Sequence, residues 1–324
     1  MKGRRRGDTA LEVEQRAGTL AKARGKRGVT SAVWGAFSIG AIASWAAAAT
    51  LRRHPPGGAE RWTRVNHAGR PVTLLEGPAY AVGAVTGALA GGAGAPAAIA
   101  GLGAGALGAL DDLVGDSSSK GLRGHLAAAL RGEMTTGVIK IVGLGATGLL
   151  SAWMVDRSRE GTRPPGAGPM GTLVGGAVIA GSANIANLLD LRPGRALKVV
   201  LLLAVPIITS GRGPGFATAG AGATAGAAAG AAMAAMPDDL ASRSMLGDTG
   251  ANSAGALLGA ALVARTRLRG RLVALAAVTF LTLASEKVSF TKVIESTPGL
   301  RELDAFGRPQ RPSPGAVPTG DPVA

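Results

Sequence analysis

Residues 78–110 read PAYAVGAVTGALAGGAGAPAAIAGLGAGALGAL, thirty-three positions without a charge, followed at once by Asp111 and Asp112. A bilayer core about 30 Å thick takes roughly 20 apolar residues in one helical crossing. The stretch is too long for one crossing and just long enough for two. It therefore reads as a helical hairpin broken near Gly91–Pro96, with an aspartate pair where the second helix leaves the membrane. Working outward, the same reading gives spans at Val29–Leu51, Glu133–Trp153, Pro169–Asn187, Ala196–Thr209, Gly215–Met236, Ala251–Ala264 and Leu272–Ser285. The fold class that follows is all-α, a polytopic membrane helix bundle of nine to ten transmembrane helices. Residues 1–28 form a basic N-terminal segment, 29–287 the membrane domain, 288–307 a last loop, and the Pro/Gly-rich 308–324 a disordered tail.

Composition agrees. The chain has 324 residues, 52 of them glycine, with 47% hydrophobic but only 3% aromatic residues, so its apolar material is mostly small. Its net charge is +15, yet its mean hydropathy is +0.27. A chain both basic and apolar suits a membrane protein with basic loops better than a nucleic-acid binder. The absence of cysteine excludes disulfides and thiolate chemistry, and three histidines leave little for a zinc site. In lipid, small residues let helix backbones approach closely. The four-residue spacings Gly83/Gly87/Gly91, Gly222/Gly226/Gly230 and Gly255/Gly259 are therefore expected at helix–helix contacts. Two GxGxxG matches, at Gly103 and Gly143, follow no strand and are discarded as chance. Trp34, Trp45, Trp62 and Trp153 read as interfacial anchors.

Nine spans divide the loops between two sides. With the first 28 residues set aside and Lys198 counted with it, the side holding 52–77, 111–132, 188–195, 237–250 and 286–324 carries 17 Lys and Arg against 8, which makes it cytoplasmic. Those first 28 residues hold nine more cations and contradict the assignment. Fifteen of the 20 acidic residues lie on or beside the same side. Asp111/Asp112, Asn184/Asn187/Asp190 and Asp248 all mark helix ends there, and ionisable groups at a membrane boundary suggest function. The ordinary alternative is that they are helix caps and solvated charges.

In this order the segments resemble the polyprenyl-phosphate N-acetylhexosamine-1-phosphate transferases, which include phospho-N-acetylmuramoyl-pentapeptide transferase and the N-acetylglucosamine-1-phosphate enzymes. Asn66-His-Ala-Gly-Arg-Pro71 with Glu76-Gly77-Pro78 is similar to the family's first cytoplasmic loop. Asp111-Asp112 with Lys120, Asn184-x-x-Asn187-Leu-x-Asp190, and Gly247-Asp248-Thr-Gly250 are similar to the next three. The resemblance implies a Mg²⁺-dependent enzyme of the bacterial plasma membrane with a cytoplasmic active face. It would pass a sugar 1-phosphate from a UDP-sugar donor to a polyprenyl phosphate acceptor, releasing UMP, in cell-wall (peptidoglycan-type) synthesis. By the same resemblance Asp111, Asp112 and Asp248 are catalytic, and Asp248 with one of the pair, taken as Asp112, holds the metal. Lys120, Asn184, Asn187, Asp190 and Asn66 bind substrate. Membrane lipid is the remaining partner, nucleic acid is not one, and a homodimer is allowed. Arg192, Arg195 and Lys198 read as positive-inside charge before substrate ligands, and His67 and His125 as solvated loop residues. Two departures stand out. Asp190-Leu-Arg-Pro-Gly194 lacks the family's second aspartate, and Glu286–Lys292 lacks its histidines. These leave a non-catalytic envelope protein on the same scaffold as the rival reading. A secondary transporter is less favoured because no internal repeat is visible.

Overall fold

The computed structural model describes residues 4–66, 69–114, 131, 136–158, 168–209 and 216–309. Among these the chain is almost wholly helical. Its helices are α1 (Arg4–Arg53), α2 (Glu76–Ala90), α3 (Ala95–Val114), α4 (Thr136–Arg157), α5 (Gly168–Leu189), α6 (Arg195–Thr209), α7 (Phe216–Leu240), α8 (Gly247–Arg265) and α9 (Leu268–Ser285). Two short helices follow, α10 (Phe290–Ser296) and α11 (Leu300–Ala305). The hairpin reading of 78–110 holds: the helix stops at Ala90 and restarts at Ala95, with Pro96 in the first turn. A proline there fixes φ and lacks only an N–H that would be unpaired anyway. Inside α3, Ile99–Gly103 widens into a π-turn.

Five helices are long and apolar enough to cross a membrane: Val29–Arg53, Ala95–Val114, Gly137–Arg157, Gly168–Leu189 and Leu268–Ser285. The other four overlie expected spans but are shorter or less apolar. Large apolar side chains face outward on many helices, among them Ile42, Val142, Leu150, Val205, Val273 and Phe280. An apolar surface of this extent needs a nonaqueous neighbour. The chain is a membrane protein by this criterion.

The centre of the bundle is α8, buried along most of its length and packed on α5, α3, α7 and α2. Its side chains there are mostly Ala, Gly and Ser, and the small-residue faces do what the spacing predicts. A Cβ on Gly83 would strike Ser44, and one on Gly87 the Ala36 carbonyl, where α2 meets α1. Gly230 faces the Phe37 carbonyl of α1, and Gly255 and Gly259 face Ser182 and Ile179 of α5. On the face opposite Asp111, Arg271 of α9 lies buried against both oxygens of Asp156 of α4, at 2.6 and 2.9 Å.

Four expectations change. The N-terminal segment is no separate unit, since α1 runs unbroken from Arg4. A two-stranded hairpin, β1 (Thr63–Val65) antiparallel to β2 (Pro71–Thr73), stands in the first loop. Trp62 is not an interfacial anchor. It is buried with Leu74 and Leu75 beneath that hairpin, its indole N–H donating to the Pro56 carbonyl at 2.8 Å. Trp34, Trp45 and Trp153 are exposed as expected. The last loop is folded: α10 and α11 dock on α6, where Arg195 grips both oxygens of Asp304 at 2.8 and 3.0 Å. Arg308 belongs to this unit and not to the tail, donating to the Pro193 carbonyl at 2.8 Å. Residues 310–324 lie outside the described residues.

Close backbone approach makes the glycine faces testable. Gly230→Ala should lower stability by about 1–3 kcal/mol, since its methyl would meet a backbone carbonyl. Gly145→Ala, with nothing within 4 Å, should change it by no more than about 0.5 kcal/mol. Thermal unfolding of the two purified variants in detergent checks this.

Candidate functional site

The first turn of a helix presents N–H groups that have no partner within the helix. In α8 three of them are taken by carboxylates from elsewhere in the chain. The Gly247 N–H donates to Asp190, just beyond α5. The Asp248 N–H donates to Asp112 Oδ1 at 3.0 Å, and the Thr249 N–H to Asp112 Oδ2 at 2.9 Å. The Thr249 hydroxyl donates to the same oxygen at 2.6 Å. Negative charge at this helix end is favoured by the peptide dipoles as well as by the hydrogen bonds. Gly247 is required here: its φ is +58°, and a Cβ would sit 3.0 Å from Asp112 Oδ2. Asp248, expected to cap α8, does not; the cap comes across space from Asp112.

Asp248 instead turns its carboxylate toward α4. Lys140, one turn into that helix, donates from Nζ to Asp248 Oδ2 and, at 3.0 Å, to Asp111 Oδ2. One ammonium thus bridges two carboxylates in a half-buried setting. The guanidinium of Arg64 on β1 donates to the Asp112 carbonyl and ties the hairpin to the end of α3. The aspartates separated by 136 residues in sequence are therefore gathered at one point, as expected, together with Asp190. Asp248 lies outside the apolar span, and burial first, then Asp111, push its pKa up to about 7 against the pull of Lys140.

The other expected residues separate. Asn184 lies within α5 and its amide reaches Thr282 of α9 at 3.5 Å, a helix–helix contact. Asn187 stands one turn before Asp190, and its carbonyl accepts the Asp190 N–H at 3.1 Å. Asn66 closes the β-hairpin, its Oδ1 accepting from the Arg70 N–H at 3.1 Å. Lys120, His67 and His125 lie outside the described residues. Arg192, Arg195 and Lys198 hold the C-terminal helices: Arg192 pairs with Glu295, and Lys198 donates to the Leu303 and Asp304 carbonyls.

Lys140 stands out in the sequence as a charge inside an apolar helix, able to offset the nearby aspartates, and it meets two of them here. One feature of this face escaped the sequence. Beyond Asp190 lies a buried acidic group, Glu76 at the start of α2 and Asp239 near the end of α7. Among the described residues, Glu76 Oε1, Asp190 Oδ2 and Asp239 Oδ2 have no hydrogen-bond partner. Burial, and then mutual repulsion, raise the pKa of Glu76 and Asp190 well above the carboxylate range. Burial raises Asp239 to about 7, with the Gly194 N–H and the charges of Arg308 and Lys198 pulling it back.

The donors suit a hard cation. Mg²⁺ takes one or two carboxylates plus substrate phosphates, and Asp111 and Asp248 already share one positive charge. Asp112 fits less well, since both its oxygens are committed to α8. Among the described residues no group of three or more His, Cys, Asp or Glu is arranged to hold a metal ion. The sequence matches no protein-family model, and no curated protein matches it.

A carboxyl group whose pKa is higher folded than unfolded binds its proton more tightly in the folded state. Stability is then full below the unfolded value and falls as pH rises through the folded one. For Asp239 that window runs from about 4 to about 7. Asp239→Asn should raise the melting temperature by roughly 2–4 °C at pH 8 and leave it unchanged at pH 4. Melting curves of both proteins across that range decide it; an equal shift at both ends would rule out titration as the cause.

Proposed function

We propose that the protein is a membrane transferase that moves a sugar 1-phosphate from a UDP-sugar to a polyprenyl phosphate, with release of UMP. The observation that carries this is the meeting of Asp111, Asp112, Lys140 and Asp248 from three helices at one end of an apolar bundle. The resemblance of the loops that bear Asp111, Asp112, Asp190 and Asp248 to the polyprenyl-phosphate transferases supports the same reading. In it the nine long helices are nine crossings, and the carboxylate-bearing face is cytoplasmic.

In the reaction, a lipid phosphate oxygen attacks the β-phosphorus of the UDP-sugar. The bond from that phosphorus to the bridging oxygen breaks, and UMP leaves with the electron pair. Because a phosphate monoester is largely a dianion at neutral pH, no residue need take its proton. The difficulty is charge: two phosphorylated substrates meet beside carboxylates at a low-dielectric boundary. Asp248 and Asp111 would hold a Mg²⁺, which would supply positive charge against the diphosphate. Asp111 is preferred to Asp112 as its partner, because Asp112 is the group that fixes α8 and aims Asp248. Lys140 offsets the aspartates before substrate arrives and is placed to turn its ammonium to a phosphate oxygen afterwards.

A second reading is favoured by the closure of the site. Lys140 neutralises two carboxylates and α8 satisfies the third, so the arrangement is complete without a ligand. On this reading the protein is a non-catalytic envelope component on a transferase-like scaffold.

The purified protein, given polyprenyl phosphate, Mg²⁺ and a panel of UDP-sugars, should release UMP. Asp248→Asn should cut the rate at least about a hundredfold with unchanged melting, a loss of transition-state charge stabilisation of the usual size. UDP-MurNAc-pentapeptide should be a poor donor, given the altered third and last loops. No UMP from any donor, in protein that melts cooperatively, selects the non-catalytic reading. Reporters fused after Ser242 and after Arg267 should locate to opposite compartments, that after Ser242 being cytoplasmic.

A further inference from the structure

A cleft of about 220 Å³ opens on the same boundary face between α1, α2 and α7. None of Asp111, Asp112, Lys140 or Asp248 lines it. Its walls are apolar on the bundle side, with Trp45 and Ala48 of α1, Ala79 of α2 and Ala234 of α7. Its two polar ends carry opposite charge. At the buried end stands Glu76, 6% exposed. One of its oxygens accepts from the Ser244 hydroxyl and the other has no partner among the described residues. Asp239 and Asp190 lie close enough to Glu76 to repel its charge, so its carboxyl keeps its proton until a cation faces it. At the open end one carboxylate, Asp238, is shared by two guanidiniums, Arg52 and Arg243. That end carries a surplus of positive charge.

A pocket with an ionisable carboxyl within, guanidiniums at its mouth and an apolar wall matches a zwitterion with a hydrocarbon body, whose cation would ionise that carboxyl. We propose that this cleft binds the head of a phospholipid bearing a primary ammonium. The ammonium sits at Glu76 and Ser244, the phosphate at Arg52, and the acyl chains pass Trp45 and Ala48 into the bilayer. A primary ammonium brings three donors, enough for the unpartnered Glu76 oxygen. A choline head has no N–H to give, and its recognition relies on aromatic cages where this cleft offers a carboxylate. A glycerol head offers no positive charge at all. Arg52, with donors beyond the one used on Asp238, suits a phosphate oxygen. The inference needs the chain to be in a membrane, and holds whether or not the protein turns over UDP-sugars.

Native mass spectrometry of the full chain, released from micelles doped with one phospholipid at a time, tests it. Phosphatidylethanolamine should be retained about tenfold over phosphatidylcholine and phosphatidylglycerol of the same chains. Glu76→Gln keeps the shape but cannot ionise toward an ammonium, and should remove that preference. Ala48→Leu narrows the apolar wall without touching a charge, and should reduce phosphatidylethanolamine retention even where Glu76→Gln folds poorly. Free phosphoethanolamine at equal concentration should not displace the lipid. Equal retention of the ethanolamine and choline lipids would overturn the proposal. So would wild-type retention in Ala48→Leu, or displacement by the free head group.

Discussion

Everything on the boundary face depends on how the N-terminus of α8 is satisfied. Three amides of one helical turn donate to carboxylates from the end of α3 and the loop after α5, segments far apart in the chain. An unpaired amide away from water costs on the order of 1–3 kcal/mol, and hydrogen bonds to charged acceptors are about twice as strong as neutral ones. The contacts therefore set the height of α8 against α3 and α5 more firmly than sliding Ala/Gly surfaces could. Asp248 is aimed at Lys140 because its own backbone is already held.

This division of labour follows from composition. Helices faced with glycine and alanine pack closely but offer few large side chains to fix register. In lipid there is also little hydrophobic drive between them. Specific position must come from polar contacts, and the described chain places these at both ends of the bundle. Asp112 and Lys140 fix one end, and Arg271 with Asp156 the other. The Arg271 pair, the deeper of the two, is costly to break, because the surviving charge has little water to turn to.

The helices were legible because the apolar length of a crossing is a strong signal, and their contact faces because small residues recur every fourth position. The gathering of Asp111, Asp112, Asp190 and Asp248 was legible from their shared place at helix ends. Their individual roles were not. Whether an aspartate caps a helix or faces an ammonium depends on rotations of tens of degrees between α3, α4 and α8, and residue spacing does not encode these. Trp62 misled because a tryptophan beside a span is read as wet on one side, while an unforeseen hairpin brings Leu74 and Leu75 back onto it. The folded 290–308 segment was hidden for a related reason. Its anchor is the charge on Arg195, which in sequence resembles any other basic loop residue.

That anchor bears on how the chain is made. Arg195 is buried on α6, and its partner Asp304 is synthesised 109 residues later. Through the intervening synthesis of α7, α8 and α9, a guanidinium at the membrane boundary lacks its counter-charge. Only when the last described helix emerges is that corner neutralised and the loop beside Asp190 held in place. A chain cut short before Asp304 carries every long helix and every aspartate of the site, yet leaves that guanidinium without its carboxylate. Closure of this corner thus waits on one late carboxylate, which Arg195 and Arg308 share.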